Sequence, residues 1–545
     1  MQSTMMNGPL SLVHILERAR RYFPNSIIAS RLPDRSFLHR CSYADLYRRS
    51  RALASALTRR GLKKGEVVAT LMGSHYAHME AYFGIPVAGA VVHTLNPRLH
   101  VNEIAYVANH AEDRFLIVDD TLLPLLEQIR DRVHFEAIFV FSLNGYPTPP
   151  GYEDYEELLA SGDPDFTYPD IDENDAAAMS YTSGTSTGRP SGVVFSHRSI
   201  VLTCLGILAA DSLGVVCADV VMPLVPMFHV LSWTLPYAAV MAGSKLVLPT
   251  GHWETERLVE LLEIEKVTLG TGVPTVWLAV LQLLELKKRN YKFANGLRLF
   301  VGGAAAPEVM IRGFDRQGIP LIPAWGMTET SSNIVVCRLK PHLHTLPEEQ
   351  YYAARARTGF AIPLSDVRIA AENGDEVPAD GATMGELQVR GPCVAASYFK
   401  KEPDSDSFTS DGWLRTGDVA TMDVEGYVKI CDRTRDLIKS GGEFISSVEL
   451  ENAIMGHPAV AEAAVVAVPD PKWSERPCAF VVLKPGAVAC AEDISRFIAP
   501  KFAKWWLPDK YVFVESIPKG SSGKCLKRVL REQAAGRVQS RTLTS

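Results

Sequence analysis

The chain has 545 residues and a net charge of −6, with 47% hydrophobic and 22% charged residues, the proportions of a globular protein. Its length exceeds what one core supports, so two or more domains are expected. The negative charge excludes a general attraction to nucleic acid or to an anionic membrane, so any polyanion must be held at a local cation- or N–H-rich site. Nine cysteines (Cys41, Cys204, Cys217, Cys337, Cys393, Cys431, Cys478, Cys490 and Cys525) are scattered without a C-x-x-C pair. This points to a reducing, cytoplasmic setting and away from disulfides or structural zinc. The first residues lack a charged stretch followed by an apolar core, and no run of about 18 apolar residues occurs. The final Thr-Leu-Thr-Ser is not a peroxisomal address. No targeting or spanning segment is expected.

In chain order, Leu10 to Tyr22 and Ser42 to Arg59 have helical spacing. Val67 to Met72 is a continuous apolar run, as in a strand buried on both faces. A helix over Tyr76 to Phe83, a strand over Ala90 to Thr94, a helix over Val101 to His110 and a strand over Phe115 to Val118 follow. Alternation of this kind predicts a doubly wound parallel sheet. After a strand at Gly192 to Phe195, Ser196 caps a helix beginning near His197. The alternation continues through Val220 to Leu224, Ser244 to Leu248, Glu254 to Glu265, Leu297 to Val301 and Glu308 to Gln317. Lys340 to Ala356 is polar and irregular and reads as a mobile surface segment.

Composition shifts near residue 434. Before it, Gly385 to Arg390 and Gly426 to Ile430 read as antiparallel strands. After it comes a short α+β unit. Ser446-Ser-Val-Glu449 forms a capping box for a helix over Val448 to Met455, followed by strands at Ala463 to Val468 and Ala479 to Leu483. A helix over Ala491 to Ile498 and a Gly- and Lys-rich tail, Pro518 to Lys527, close the unit. The fold class is therefore α/β. A large N-terminal domain (1–434) of doubly wound sheets plus a β-barrel-like part carries a small mobile α+β C-terminal domain (435–545).

Five clusters carry candidate chemistry. Tyr181 to His197 sets Gly184 and Gly188 among hydroxyls, including Thr182, Ser183 and Thr185. Glycine lets the backbone approach a ligand so that N–H groups converge on an anion, and hydroxyls add donors to phosphate or reach Mg²⁺. The small residues of Gly302 to Pro307, after a strand, leave room for a flat ring. Trp325-Gly326-Met327-Thr328-Glu329-Thr330 offers a ring, a turn glycine, a hydroxyl and a carboxylate, and Glu329 beside phosphates needs a cation such as Mg²⁺ between them. Arg415-Thr-Gly-Asp418, with Asp432-Arg433 beyond it, supplies an acceptor and a donor for ribose hydroxyls. Pro518 to Lys527 puts Lys524 on a glycine-flanked loop, able to swing onto developing negative charge. Taken singly, each has a plain alternative: a linker, a strand-to-helix turn, a capped helix start, a surface turn or a solvated tail.

Order and spacing change that balance. The chain resembles the adenylate-forming superfamily of acyl- and aryl-CoA synthetases, luciferases and adenylation domains, and within it medium- and long-chain fatty acyl-CoA ligases. The resemblance runs over nearly the whole chain and includes Pro226-Met-Phe-His229, Gly272-Val-Pro-Thr275 and Lys439-Ser-Gly-Gly-Glu443. It implies that Thr182, Ser183, Gly184 and Thr185 form the phosphate loop, with Thr182 and Glu329 toward Mg²⁺. Gly303, Ala304 and Ala305 would form an adenine shelf, with Trp325, Gly326 and Met327 beside the base. Thr328 would contact the α-phosphate, Asp418 and Arg433 the ribose, and Lys524 the acyl carboxylate. Arg435 falls at the hinge, and Lys439, Gly441 and Gly442 would face the thiol acceptor. His229, with Phe228 and Trp233, would border the acyl site.

One departure stands out. From the first loop glycine to the proline, Gly184 to Pro190 spans six positions where relatives have five, and Ser191 stands where they carry lysine. The expected activity is that of an ATP- and Mg²⁺-dependent acid:CoA ligase, with coenzyme A as acceptor and a carboxylic acid, most simply a medium- or long-chain fatty acid, as substrate. No nucleic acid and no stable membrane association are expected, and the resemblance allows a homodimer. The alternatives are adenylation of a small or aromatic acid, transfer to an acceptor other than CoA, and an impaired nucleotide or acyl-CoA binder with an altered loop.

Overall fold

The structure is a computed structural model and describes residues 1, 3–32, 38–182, 190–250, 254–286, 289–441, 443–520 and 525–536. Among them lie four sheets. The first has seven strands and is built around the apolar run foreseen at Val67 to Met72, which forms strand Val67–Leu71, buried at every position. Parallel neighbours flank it on both sides, Val91–Thr94 and Asp113–Asp119. Such a strand has no wet face, which is why it reads as a continuous apolar string. At one edge Ala176–Tyr181 pairs antiparallel with Gly192–Ser196, so the Gly- and hydroxyl-rich loop joins two neighbouring strands.

The second sheet has nine strands. Its parallel centre runs from Leu321–Gly326 through Arg298–Val301, Leu269–Gly272, Val220–Pro223 and Lys245–Pro249 to Ile27–Arg31. Helices Tyr76–Val87 and Leu235–Ala242 are buried on all sides. They share one hydrophobic core with residues of both sheets, among them Val68, Val92, Leu246 and Phe300. Tyr82 and Tyr237 stack at 5.1 Å, the Tyr82 hydroxyl donates to the Met227 carbonyl, and the Tyr237 hydroxyl donates to the Tyr82 carbonyl at 3.0 Å. Burying each ring is worth about 1.5–3 kcal/mol, provided its hydroxyl finds such a partner.

The third sheet, four antiparallel strands from Asp366–Ala370 to Val428–Arg433, follows the foreseen β pieces. The fourth contains the long hairpin Val460–Asp470 and Ser474–Leu483, with Lys510–Phe513 parallel to it. Helix Ser447–Met455 is capped by Ser446, whose side chain accepts from the Glu449 N–H at 3.0 Å. The reciprocal half of that box is replaced: the Glu449 carboxylate pairs with Lys429 instead. Lys527 docks the C-terminal helix Lys527–Ala534 by pairing with Glu451 at 2.7 Å.

One expectation is corrected. Lys340 to Ala356 is structured: a turn at Pro341–Thr345 leads into helix Glu348–Arg355, whose Ala354 and Arg355 are buried. Arg312 on helix Glu308–Arg316 holds it, lying over the Tyr352 ring at 4.0 Å and reaching Glu348 and Glu349. All nine cysteines are free thiols, and only Cys217 and Cys490 are exposed. Among the described residues no helix is long and apolar enough to cross a membrane.

Candidate active site

The neck of the glycine-rich loop is closed by its own ends. The Thr182 N–H donates to the Ser191 carbonyl at 2.9 Å, and the Ser191 N–H donates to the Thr182 hydroxyl oxygen at 3.1 Å. Ser183, Gly184 and Thr185, which lie between, are outside the described residues, as are Gly442 and Lys524.

Strand Arg298–Val301 runs into Gly302, where a Cβ would sit 2.8 Å from the Ala324 carbonyl oxygen and 3.0 Å from the Trp233 ring. Only glycine permits that approach. Beyond it Ala304 and Ala305 are exposed and present little more than backbone. On the adjacent strand, Leu321–Gly326, the Trp325 indole N–H donates to Asp418 Oδ2 at 2.8 Å. Asp418 lies opposite Arg433 in the third sheet, and Arg433 Nε is 3.3 Å from Asp418 Oδ1. An indole, a carboxylate and a guanidinium thus form one connected chain from three strands.

The residues after Trp325 turn sharply. Thr328–Thr330 is a short 3₁₀ turn, pinned where the Met327 N–H donates to the Thr330 hydroxyl at 2.9 Å. It buries Thr328 and Glu329. The Tyr398 hydroxyl donates to Glu329 Oε1 at 2.6 Å, and the Ala395 N–H donates to the Glu329 carbonyl at 2.7 Å. Burial, and then the Glu329 carboxylate, push the Tyr398 hydroxyl above its ordinary pKa. The phenol therefore stays protonated as a donor. A buried carboxylate suits Mg²⁺, a hard ion that takes one or two protein carboxylates and completes its shell with phosphate and water oxygens. Among the described residues no group of three or more His, Cys, Asp and Glu forms a ready-made cage, and this ion does not need one.

Phe228, His229 and Trp233 lie on an unusual turn. Five successive residues, Val230 to Thr234, have φ between 38° and 58°. L-residues resist that conformation at about 1–2 kcal/mol each. Surrounding hydroxyls hold it: Ser232 donates to the Val225 carbonyl at 2.7 Å, Thr234 to the Ser331 carbonyl at 2.8 Å, and Ser332 to the Trp233 carbonyl at 2.6 Å. The turn is thereby tied to the residues just after Glu329, with Trp233 against Gly302. Phe228 is buried under the Arg98 guanidinium, 5.5 Å from its ring, and His229 is half-buried beside it.

The remaining candidates stand apart. Lys439 is exposed on strand Ile438–Ser440, its N–H donating to Glu475 at 2.8 Å. Gly441 has φ of 61°, and a Cβ there would lie 2.8 Å from the Trp473 ring. Arg435 is exposed between the third and fourth sheets, its carbonyl accepting from Arg531 at 3.2 Å. Sequence reading missed Tyr398, Trp473 and Lys401. Tyr398 is 69 positions from the carboxylate it serves, a distance over which no local pattern speaks.

Residues 17–399 match the AMP-binding enzyme family, and residues 449–524 match the AMP-binding enzyme C-terminal domain. The chain is 48% identical over 533 residues to a long-chain-fatty-acid–CoA ligase of Thermus thermophilus, covering 97% of each. It is 42% identical to a 3-methylmercaptopropionyl-CoA ligase of Ruegeria pomeroyi, covering 98% of this chain and 99% of that one. In structure it is similar to the anthranilate CoA ligase AuaEII in complex with anthranoyl-AMP, with a TM-score of 0.86, 24% identity, and coverage of 99% of this chain and 100% of that one. The chain belongs to the AMP-binding enzyme family.

Proposed function

We propose that the chain is an ATP-dependent acid:CoA ligase acting on a medium- or long-chain fatty acid in two steps. In the first, a carboxylate oxygen of the acid attacks the α-phosphorus, the bond to the β-phosphate breaks, and acyl-AMP and pyrophosphate form. In the second, the CoA sulfur loses its proton and attacks the acyl carbon, and AMP leaves. Neither step needs a protein nucleophile, because the substrates supply both. The protein's task is to position groups and neutralise charge.

The observation that carries this reading is the Trp325–Asp418–Arg433 chain beside the buried Glu329. It provides an aromatic wall, an acceptor and donor for ribose hydroxyls, and a carboxylate for Mg²⁺, which supplies charge neutralisation on the phosphates. Thr328 would take the α-phosphate, Thr182 the phosphates and the metal, and Lys524 the acyl carboxylate during adenylation. Phe228, His229 and Trp233 would border the acyl chain. Lys439, Gly441 and Gly442 would face CoA after a turn about Arg435, with the domains dividing at 434/435.

Pyrophosphate and AMP release over a panel from acetate to palmitate, with and without CoA, tests the proposal. A preference for the longer acids, with thioester formed only when CoA is present, is expected. A preference for short or thioether acids would favour the second reading, which the 42% identity to a 3-methylmercaptopropionyl-CoA ligase supports. Acyl-AMP formed without any transfer to CoA would refute the ligase assignment.

A further inference from the structure

The loop from Thr182 to Ser191 contains no lysine, its one cationic residue being Arg189, outside the described residues, and Ser191 stands at its exit. A second segment supplies a cation at that point. Phe399 N–H donates to the Gly192 carbonyl at 2.8 Å, docking residues 398–401 on the first residue of the strand that leaves the loop. Lys400 then takes a left-handed φ of 56°, so the two adjacent lysines diverge. Lys400 turns to Glu112, forming an ion pair. Lys401 turns the other way, and its Nζ donates to the Ser191 hydroxyl oxygen at 3.0 Å. Among the described residues no carboxylate lies within ion-pairing distance of Lys401. Its ammonium is 5.8 Å from the Tyr398 ring, and the Tyr398 hydroxyl is on Glu329. One short segment therefore places a phenol on the carboxylate proposed for Mg²⁺ and an unneutralised ammonium on the neck of the phosphate loop.

We infer that Lys401 is the phosphate cation of this site: a lysine from a separate segment that contacts the β- and γ-phosphates of ATP and stays with the departing pyrophosphate. This inference rests on the adenylation reading above. The chemistry fits the side chain. An ammonium on a flexible four-carbon stem leaves a neutral hydroxyl readily for a polyphosphate, where the hydrogen bond becomes charge-assisted. Lys401 is solvent-exposed, so its removal leaves no hole in the core.

The test compares wild type, Lys401→Ala, Ser191→Lys and the double variant. Acyl-AMP formation as a function of ATP, thiolysis of supplied acyl-AMP, and calorimetric binding of MgATP are measured for each. Lys401→Ala should lower kcat/KM for ATP in adenylation by about ten- to a hundredfold, the value of a lost charge-assisted contact. Thiolysis, which involves no pyrophosphate, should stay within about twofold. Ser191→Lys should restore most of the loss in the Lys401→Ala background. Unchanged ATP kinetics in Lys401→Ala, equal loss of both half-reactions, or no rescue by Ser191→Lys would each overturn the assignment. If wild type binds MgATP but forms no acyl-AMP from any acid, the ligase reading fails. Weaker MgATP binding by Lys401→Ala would still uphold Lys401 in that case, and equal binding would sink it.

Discussion

The nucleotide-side candidates and the acceptor-side candidates are held in different ways. Trp325, Glu329, Asp418 and Thr182 sit in or beside the first three sheets and are tied to one another's neighbourhoods by short bonds, such as Trp325 to Asp418 at 2.8 Å and Tyr398 to Glu329 at 2.6 Å. Lys439 and Gly441 contact Glu475, Phe444 and Trp473, in the fourth sheet and its hairpin turn. Rigid, cross-strapped groups suit a step governed by placement of charge, whereas groups whose own contacts lie in one small unit can be carried together from one step to the next. The difference suggests a division of labour between the half-reactions, and variants on either side of it should separate them.

The largest expected effect comes from the small unit. If Lys524 is the cation proposed for the acyl carboxylate, Lys524→Ala should lower acyl-AMP formation by about 10²–10³-fold while sparing thiolysis of supplied acyl-AMP. Equal loss in both assays would erase the division. On the other side, Glu329→Gln should reduce kcat/KM for MgATP by about ten- to a hundredfold and steepen its dependence on free Mg²⁺, with circular dichroism unchanged. Normal activity at low Mg²⁺ would leave Glu329 as a turn residue only. Arg435→Pro sharpens the comparison at the junction. Proline fixes φ near −65°, so thiolysis should slow about tenfold more than adenylation, and single-turnover rates with supplied acyl-AMP would reveal it. An unchanged rate of thiolysis would move the hinge elsewhere.

The smallest effect on rate, and a large one on stability, is expected from Lys527→Met. It strands Glu451, whose side chain is 14% exposed, without its partner. Breaking such a pair costs about 3–5 kcal/mol, which denaturant titration should register in the small unit. Replacing Glu451 with leucine as well should recover most of that loss. If the single variant is as stable as wild type, the C-terminal helix is held by its apolar face, Leu530 above all.

Legibility in the sequence followed how local the cause of each feature was. Val67–Leu71 could be read because a strand with no wet face must be apolar throughout. Helix Ala491–Ile498 could be read to its ends because its apolar side recurs with helical spacing. Strand Leu269–Gly272, Leu-Gly-Thr-Gly, could not be, because two glycines argue against a strand. It exists because neighbours flank it on both sides and the Trp277 ring fills the space that Cβ atoms at Gly270 and Gly272 would take. Helix Glu348–Arg355 was hidden for a similar reason, since Arg312 from another helix anchors a polar segment. In the site, clusters compact in sequence were legible, such as Trp325 to Thr330. Their supports, Tyr398 and Lys401, were not, because each acts on a residue far away in the chain.

The distribution of thiols gives the wild-type chain a built-in pair of attachment points. Seven of the nine cysteines are buried or half-buried, and burial pushes Cys41 and Cys525 up to about 12. That leaves Cys217, which precedes strand Val220–Pro223, and Cys490, which precedes helix Ala491–Ile498. Asp493 beside the Cys490 sulfur raises that thiol. A maleimide donor and acceptor pair can be attached at these two exposed thiols. Energy transfer between them would follow any rotation of the small unit through a catalytic cycle with no engineered residue.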